Sequence, residues 1–400
     1  MRAVRECARF GRDFNPRRDM LRALHSPCSS CLRPALMGAL LLAASLSVTS
    51  AAPLPGIRLS ADGKSFVRAD SGASFRVWGV NYDHDSTEPH GRLLEDYWET
   101  EWESVRGDFR EMKELGANVV RIHLQVAKFL SGPDVANAKA LERLRRLLAL
   151  AEETGLYLDI TGLGCYNKAA TPAWYDRLNE SARWNVQAYF WSAIAKLCRT
   201  SSVVFCYDLM NEPVIDGKKD EGWLTGQLGD KHFVQRLTLE PGGRTQIEIA
   251  KAWVDKLTTA IRAEDTNHLI TVGAIPWAQV WPGAKPIFYS PEVSRALDFV
   301  SIHVYPKHGE VDRALAALAV YDIGKPLVIE ETFPLSCTME EMDDFIKRSK
   351  DRAEGYLSFY WGRTSAEYAA ATATQAREIA TLMGAWLRYF RAQADSMRQP

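Results

Sequence analysis

Two carboxyl side chains stand where apolar, strand-like runs of the sequence end. The run Val203–Leu209 leads into Asn211 and Glu212 within "DLMNEP", and the run Leu327–Glu330 leads into Glu331 within "VIEET". Two carboxyl groups that face each other across a sugar can cleave a glycosidic bond, since one protonates the leaving oxygen and the other attacks the anomeric carbon or activates water. Glu212 and Glu331 are therefore candidate catalytic residues.

Other side chains suited to chemistry or to sugar binding stand at the ends of further strand-like runs. They are Arg121 and His123, His303 and Tyr305, and Trp361. Each one alone has a structural explanation, because a lone histidine in an apolar strand is usually a hydrogen-bonded core group and a lone tryptophan usually packs. Placing a whole set of polar groups at one edge costs free energy of desolvation, so stability of the fold does not explain the set. Their shared position therefore indicates a functional site.

Eight strand-like runs alternate with helical patterns along the chain, and this order predicts the fold. Strands that alternate with helices form a parallel sheet, and eight such units predict a single (β/α)8 TIM barrel of the α/β class. Active sites of such barrels lie at the C-terminal ends of the strands, so the candidate residues share one rim. The runs are Phe75–Asn81, Asn118–His123, Tyr157–Thr161, Val203–Leu209, Leu269–Gly273, Phe299–His303, Leu327–Glu330 and Tyr356–Trp361.

Two flanking features complete the predicted architecture. The turn dipeptides at Asp62 and Gly63 and at Ser71 and Gly72 separate short β-like runs, which predicts an N-terminal β-hairpin. The stretch Val214–Arg244 reads as an extended loop over the barrel mouth. No G-x-G-x-x-G motif follows the first strand, which argues against a dinucleotide-binding fold.

Residues 1–52 are predicted to be a signal or leader segment outside the fold. Residues 1–34 carry eight arginines and three acids, Ala35–Thr49 is apolar or weakly polar, and small residues suited to cleavage follow. This order is typical of a secretory signal, and about fifteen apolar residues are short for a membrane span of roughly twenty. We expect a secreted or periplasmic protein without a stable membrane anchor, in which residues 53–400 form one domain. The type of signal and the true start methionine stay open.

Composition excludes some partners and leaves the cysteines open. The formal net charge is −1 at pH 7, so no basic field predicts binding to nucleic acid. Four cysteines follow the leader, and export permits disulfides among them, but they form no cysteine-rich framework, so we favour free thiols. These cysteines are Cys165, Cys198, Cys206 and Cys337. Five tryptophans in predicted loops are candidate sugar platforms or packing residues: Trp98, Trp102, Trp223, Trp277 and Trp281.

Six segments occur in an order that resembles glycoside hydrolase family 5, the cellulase and β-mannanase family of the Asn-Glu barrel clan. They are "FVRADSGASFRVWGVNY", "GANVVRIHL", "VFCYDLMNEP", "VSIHVYP", "KPLVIEET" and "YLSFYWG". The tripeptide Asn-Glu-Pro alone arises by chance. Its combination with His-x-Tyr, an acidic seventh strand and a tryptophan is specific, and the resemblance covers nearly all of the chain after the leader.

The resemblance implies roles for the two carboxyls and their amide neighbour. Glu212 would be the general acid and then the general base, and Glu331 would be the nucleophile of a glycosyl-enzyme, with net retention. Asn211 would hold the 2-hydroxyl group of the sugar.

The resemblance also implies four supporting residues. Tyr305 would orient the nucleophile, and Arg121 would hold its charge from below. His303 would border the acid/base residue. Trp361 would be the platform for the sugar at the cleaved bond.

The choice between Glu330 and Glu331 rests on two arguments. Neighbouring strand residues face opposite ways, which predicts that just one of them points into the barrel. In the family's pattern the catalytic glutamate is the seventh residue counted from a lysine, and Lys325 makes Glu331 the seventh. Glu330 then replaces a residue that is commonly small.

The third strand departs from the family. "LYLDITGLGCYN" lacks the histidine that many relatives carry after their aspartate. Either His84, His90 or His123 substitutes for it, or the sugar subsite differs. This departure concerns the substrate more than the mechanism.

The sequence thus predicts a retaining β-glycoside hydrolase without cofactor or metal. We expect a β-linked polysaccharide or oligosaccharide as substrate, β-mannan or β-glucan first, with endo action preferred. An exo-acting β-glycosidase, a related-clan β-galactosidase or a transglycosylase are alternatives. A non-catalytic carbohydrate-binding barrel would lack a carboxyl, and a metal-dependent hydrolase would need more closely grouped ligands than His84, Asp85, His303 and His308.

Overall fold

The computed structural model describes residues 53–84, 92–228, 231–371 and 374–399. The predicted leader lies outside the described residues, as do Asp85 and His90. Pro53–Pro400 forms one compact unit. No helix among the described residues is long and apolar enough to cross a lipid bilayer.

Strands and helices alternate along the described chain. The strands are β1 (Ile57–Leu59), β2 (Phe66–Arg68), β3 (Ser74–Phe75), β4 (Val77–Tyr82), β5 (Val119–Gln125), β6 (Leu130–Gly132), β7 (Val135–Ala136), β8 (Tyr157–Gly164), β9 (Val204–Asp208), β10 (Pro213–Val214), β11 (Leu224–Leu228), β12 (Lys231–Arg236), β13 (Leu269–Thr271), β14 (Gly273–Ala274), β15 (Val300–His303), β16 (Leu327–Thr332) and β17 (Gly355–Trp361). The helices are α1 (Leu94–Tyr97), α2 (Trp102–Glu114), α3 (Val126–Phe129), α4 (Ala138–Thr154), α5 (Ala173–Asp176), α6 (Glu180–Cys198), α7 (Gln246–Glu264), α8 (Trp277–Val280), α9 (Val311–Val320), α10 (Met339–Ser349), α11 (Ser365–Ala369) and α12 (Thr374–Arg398).

The central sheet closes on itself. Its nine segments follow the order β13-β9-β8-β5-β4-β17-β16-β15-β14, and the neighbours pair in parallel. The two end segments, β13 and β14, are parts of one strand that is interrupted at Val272. The sheet is therefore an eight-stranded barrel, and the predicted (β/α)8 fold is confirmed.

Helix α4 illustrates how the sequence builds the outer ring. The side chain of Asn137 accepts a hydrogen bond from the backbone N–H of Lys139 and so caps the start of the helix. The helix ends at Gly155, whose φ of 70° is a left-handed conformation that glycine adopts without strain. Leu144 and Leu147 are fully buried at helical spacing, so one face of the helix packs inward while the other meets solvent.

Three phenylalanines, Phe66, Phe205 and Phe299, pack at the N-terminal ends of the barrel strands and form what we name the base cluster. Their ring centroids lie 5.2–5.5 Å apart, and all three side chains are fully buried. Phe66 comes from β2, the middle strand of the antiparallel sheet β1-β2-β3. The predicted N-terminal hairpin is thus a three-stranded sheet that packs against the base of the barrel.

The stretch Val214–Arg244 differs from the predicted loop because part of it forms a small sheet. Strands β11 and β12 pair antiparallel, and β12 pairs in parallel with β10 directly after Glu212. Polar residues such as Thr225 and Gln235 are mixed with apolar ones without regular alternation in these short strands, so the sequence carried only a weak strand signal.

The four cysteines after the leader are free thiols. Cys165, Cys198 and Cys206 are buried, and Cys337 is half-buried. This arrangement agrees with the expectation of free thiols.

Candidate active site

Polar side chains from several barrel strands converge at one end of the barrel. Arg121 lies on β5, Asn211 and Glu212 directly follow β9, and His303 ends β15. Hydrogen bonds or close ion pairs join six of the seven residues to which the family resemblance assigns a role. The six are Arg121, Asn211, Glu212, His303, Tyr305 and Glu331.

Arg121 organises the floor of this site. The guanidinium is fully buried, and its Nη1 donates to Asn81 Oδ1 at 2.9 Å and to Glu331 Oε1 at 2.7 Å. Its Nη2 donates to Asp208 Oδ2 at 2.8 Å and to Asn211 Oδ1 at 3.0 Å. Burial alone would lower the pKa of Arg121, but the surrounding carboxylates outweigh it and raise that pKa well above its ordinary value. Arg121 is therefore a permanent cation beneath the site.

Both carboxylate oxygens of Glu331 accept hydrogen bonds. Oε1 accepts from Arg121, and Oε2 accepts from the Tyr305 hydroxyl at 2.7 Å. Burial and the nearby Glu331 raise the pKa of Tyr305 well above its ordinary value, so this hydroxyl stays protonated and is the donor of the hydrogen bond to Glu331. The two bonds fix the orientation of the Glu331 carboxylate.

Glu212 occupies a strained backbone position opposite Glu331. Its φ of 46° lies in the left-handed region, which costs a residue other than glycine of order 1 kcal/mol or more and is concentrated at functional sites. The backbone N–H of Glu212 donates to the carbonyl of Gly273 at 2.8 Å, which holds this conformation. One carboxylate oxygen from each of Glu212 and Glu331 and one ring nitrogen of His303 all lie within 4.8 Å of one another.

The His303 ring lies between carboxylates on both sides. Its Nδ1 is 2.9 Å from Glu212 Oε1 and 3.4 Å from Glu331 Oε2, and its Nε2 is 3.1 Å from Glu330 Oε2. Burial would lower the pKa of His303, but Glu331, Glu212 and Glu330 outweigh it and raise that pKa to about 10. The ring therefore holds a proton through the neutral range.

Glu330 and Glu331 both point into the barrel, and the prediction that just one of them does so is wrong. Glu331 Oε1 lies 2.7 Å from Arg121, and Glu330 Oε2 lies 3.4 Å from the same guanidinium. The pairing of β15 with β16 explains this, because Ile302 pairs with Ile329 and His303 pairs with Glu331. Glu330 is the extra residue of this register shift, and such a bulge breaks the strict alternation of side chains.

The third barrel strand, β8, contributes a threonine to the network around Arg121. Thr161 on β8 accepts a hydrogen bond from Arg121 Nε at 2.7 Å and donates to Asp208 Oδ2 at 2.9 Å. Two buried groups nearby, His123 Nε2 and the Tyr166 hydroxyl, have no hydrogen-bond partner among the described residues. Their rings lie 5.5 Å apart. Buried polar groups without a hydrogen-bond partner are uncommon in native structures, which makes these two groups candidates for a functional role.

The aromatic candidates divide by exposure. Trp361 at the end of β17 is fully buried against Tyr82 and His84, and its indole N–H has no partner among the described residues. Trp281 is 53% exposed and stacks on Trp277 with ring centroids 5.0 Å apart. The other three loop tryptophans pack against protein groups: Trp98 against Phe129, Trp102 against Arg146 and Trp223 against Arg183.

The group of Glu212, His303 and Glu331 has donor atoms of the kind that bind metal ions. The neighbouring charges disfavour that use. Arg121 donates directly to Glu331, and His303, whose pKa is raised, offers a protonated ring instead of a lone pair. The arrangement fits proton transfer and nucleophilic attack better than metal binding.

Sequence reasoning missed several residues of this network. Asp208 accepts from Arg121, and Asn81 accepts from the same guanidinium. An acid and an amide inside the apolar strands "VFCYD" and "VWGVNY" were available signals. Glu330 gave no such signal, because its inward position depends on the bulge.

The chain resembles known proteins at the level of family and fold. A family model described as cellulase (glycosyl hydrolase family 5) matches residues 78–354. Mannan endo-1,4-β-mannosidase A of Podospora anserina is 24% identical over 252 residues, which cover 56% of this chain and 60% of that protein.

Two solved structures share the fold. An exo-β-1,4-mannosidase from Opitutaceae bacterium strain TAV5 superposes with a TM-score of 0.60 at 18% identity, covering 85% of this chain and 62% of its own. A β-1,4-mannanase from the sea hare Aplysia kurodai gives a TM-score of 0.56 at 14% identity, covering 82% of this chain and 95% of its own. The chain spans less than two thirds of the Podospora and Opitutaceae proteins.

Proposed function

Because the chain belongs to glycosyl hydrolase family 5, we propose that it is a retaining β-glycoside hydrolase that cleaves β-1,4-linked mannan within the polysaccharide. The observation that carries the catalytic part of the proposal is the facing pair Glu212 and Glu331. One carboxylate oxygen of Glu212 lies within 4.8 Å of one of Glu331, which suits retaining chemistry, in which the two carboxyl groups are about 5–5.5 Å apart.

In the proposed first step Glu212 is the general acid and Glu331 is the nucleophile. Glu212 gives its proton to the glycosidic oxygen while Glu331 attacks the anomeric carbon. The bond from that carbon to the leaving oxygen breaks, and an ester bond between the sugar and Glu331 forms. The hydrogen bonds from Arg121 and Tyr305 support this assignment because they hold the Glu331 carboxylate in one orientation.

In the second step Glu212 acts as a general base. It takes a proton from water, whose oxygen attacks the anomeric carbon and releases the sugar from Glu331. Two inversions at one carbon give net retention, and Glu212 ends protonated again, with a proton that comes from water.

Four side chains are proposed to hold the sugar at the cleaved bond. Asn211 binds the 2-hydroxyl, and Trp361 forms the platform. The unpaired His123 Nε2 and Tyr166 hydroxyl support a role for these two groups in binding further hydroxyls, in place of the histidine that the third strand lacks.

The choice of mannan rests on the named relatives. The Podospora relative is a mannan endo-1,4-β-mannosidase and the Aplysia structure is a β-1,4-mannanase. Endo action is favoured because the Podospora relative is an endo-acting mannosidase. The exposed Trp281 and its neighbour Trp277 are proposed to stack on sugar units away from the cleaved bond.

Exo action is the second candidate, and one observation favours it. The small sheet β10-β12-β11 meets the site, because Asn211 Nδ2 donates to the carbonyl of Phe233 on β12 at 2.9 Å. A sheet at this place would close one end of a cleft. The Opitutaceae neighbour is an exo-β-1,4-mannosidase.

We also propose that residues 1–52 direct export, so that the enzyme meets its polysaccharide outside the cytoplasm. The basic, apolar and small regions in sequence support this. N-terminal sequencing of protein recovered from outside the cells would show cleavage near Ala52 if the proposal holds. Protein retained in the cell with an intact N-terminus would contradict it.

A substrate panel tests the proposal. Wild type is incubated with β-1,4-mannan, β-1,4-glucan and β-1,4-xylan, and reducing ends and product lengths are followed. We expect fastest release from mannan, with oligosaccharides of mixed length early in the reaction. Release of mannose alone from the start would favour the exo candidate. Faster release from glucan or xylan would overturn the choice of mannan, and no release from any β-linked substrate would overturn the proposed activity.

A further inference from the structure

Glu330 is a buried carboxylate that the two-step mechanism does not use. It is fully buried, and its Oε2 lies 3.1 Å from His303 Nε2 and 3.4 Å from Arg121 Nη2. Gly273 on the neighbouring segment leaves it room, since a Cβ there would collide with Glu330 Oε2 and crowd His303 Nε2. Burying a charge at this depth costs free energy unless the charge is paired and hydrogen-bonded.

His303 connects Glu330 to the acid/base residue. The ring presents Nε2 to Glu330 at 3.1 Å and Nδ1 to Glu212 at 2.9 Å, on opposite sides. Burial would raise the pKa of Glu330, but Arg121 and His303 outweigh it and lower that pKa. An ionised carboxylate can only accept, so the proton between these two residues belongs to Nε2. The second ring nitrogen is then free to share a proton with Glu212.

We propose that Glu330 is a positioning residue of the hydrolase, which accepts the Nε2–H of His303 and so makes Nδ1 the partner that shares the proton of Glu212. The proposal rests on the function proposed above. Glu212 and Nδ1 hold one proton between them. When Glu212 protonates the leaving oxygen, a neutral ring with Nε2–H and a Glu212 carboxylate remain, and the proton taken from water restores the pair.

Asp159 is a further buried carboxyl group that interacts electrostatically with Glu330. Burial and the nearby Glu330 raise the pKa of Asp159 well above its ordinary value. The raised pKa keeps Asp159 a neutral acid, but neither of its carboxyl oxygens nor Glu330 Oε1 has a hydrogen-bond partner among the described residues. The close partners of Glu330 are therefore His303 and Arg121.

Apart from His303 itself, the charged or titratable groups of this buried cluster come from four strands. They are Arg121 and His123 on β5, Asp159 on β8, Asp208 and Glu212 on and directly after β9, and Glu330 and Glu331 on β16. Burial and Arg121 lower the pKa of His123 well below its ordinary value, so it is neutral. Glu330 is the group in contact with Nε2, which makes it the residue to change.

The first test compares Glu330→Gln with Asp159→Asn in the full chain. Glutamine removes the charge beside Nε2, so loss of the shared proton becomes easier. We expect the basic limb of the kcat/KM profile to move to lower pH by about 1 unit or more. Asp159→Asn replaces a neutral acid by a neutral amide and leaves the charge of Glu330 beside Nε2 in place, so its limb should stay within about 0.3 unit of wild type. An unmoved limb in Glu330→Gln, or an equal shift in both variants, would overturn the proposal.

The second test reads the ring directly and needs no substrate. The chain has eight histidines, and the His303 signals are assigned in ¹⁵N-histidine NMR spectra by their loss in His303→Gln. We expect Nε2 of wild type to carry a proton across the whole pH titration. The midpoint for loss of the second ring proton, at Nδ1, should be lower by about 1 pH unit or more in Glu330→Gln than in wild type. An unprotonated Nε2 in wild type overturns the proposal even if the variant does not fold. If no β-linked sugar is cleaved, the proposed function fails while this measurement still decides the role of Glu330.

Discussion

The two ends of the barrel interior contain opposite kinds of side chain. At the N-terminal ends of the strands, the base cluster is three phenylalanine rings 5.2–5.5 Å apart. At the C-terminal ends, Arg121 is surrounded by the carboxylates of Asp208, Glu330 and Glu331. Both regions are buried, so burial alone does not distinguish them.

The difference separates the residues that stabilise the fold from the residues that the fold positions for catalysis. Burying aromatic rings is favourable in proportion to the apolar area removed from water. Burying ion pairs costs desolvation that their attraction often fails to repay, so the upper cluster is weak evidence for stability. We therefore expect changes at the base to alter stability, and changes at the rim to alter catalysis.

The largest effect is expected from the two facing carboxyls. Glu331→Gln and Glu212→Gln should each lower kcat on β-mannan by about 1,000-fold or more, because the first removes the nucleophile and the second the acid/base group. Initial rates of reducing-end release measure this. The exposed Glu292→Gln makes the same chemical change at the surface and should leave kcat unaltered. Near-wild-type rates in either active-site variant would refute the assignment.

The base cluster should respond in the opposite way. Phe66→Ala removes the ring that touches both Phe205 and Phe299, and should lower the free energy of unfolding by about 3–5 kcal/mol. At a temperature where the variant is folded, kcat should equal that of wild type. Denaturant unfolding and initial rates provide the two numbers. A large fall in kcat with stability unchanged would break the division between the two ends.

Tyr305→Phe should give an intermediate effect on catalysis. It removes the 2.7 Å hydrogen bond to Glu331, and a bond to a charged group contributes about 1.5–3 kcal/mol. We expect kcat to fall about 10- to 100-fold with little change in thermal stability. The two quantities come from initial rates and a melting curve. An unaltered kcat would mean that Arg121 alone orients the nucleophile.

The pH dependence of stability should also differ between the two ends. Burial alone would lower the folded-state pKa of His303, but the neighbouring carboxylates outweigh burial and raise that pKa from 6.5 to about 10. Its contribution is therefore fully present below about pH 6.5 and is lost as pH rises through about 10, with a slope of at most about 1.4 kcal/mol per pH unit. Unfolding free energies of Phe66→Ala should run parallel to wild type, whereas those of Glu330→Gln should fall less between pH 7 and 10. Parallel curves for both variants would contradict this.

The smallest effect is expected at the exposed aromatic pair. Trp281→Ala should raise KM for mannan by about 5- to 10-fold, since a stacking contact contributes about 1 kcal/mol. KM for a short aryl mannoside should not change, because such a substrate is too short to reach Trp281. Equal effects on both substrates would place Trp281 at the cleaved bond instead.

The barrel was predictable because its signals are local. Eight apolar runs alternate with helical patterns along the sequence, and the strands and helices of the structure follow that order. The small sheet β10-β12-β11 was not predicted, since its short strands mix polar and apolar residues.

The site was predictable as a set of residues but not as a network. Strand ends identified Arg121, Glu212 and Glu331 because parallel strands deliver their C-terminal ends to one rim. The inward position of Glu330 was missed, because it depends on a register shift between β15 and β16 that no local pattern encodes. The buried Asp208 was missed because its partner Arg121 lies 87 positions away in sequence.

The most direct test is to trap the glycosyl-enzyme. A 2-deoxy-2-fluoro-β-mannosyl fluoride lets the first step proceed and slows the second, so the sugar stays on the nucleophile. Fragmentation of the labelled peptide by mass spectrometry should place one fluoromannosyl group on Glu331, with no label in Glu331→Gln. A label on Glu330, or on any residue other than Glu331, would contradict the account.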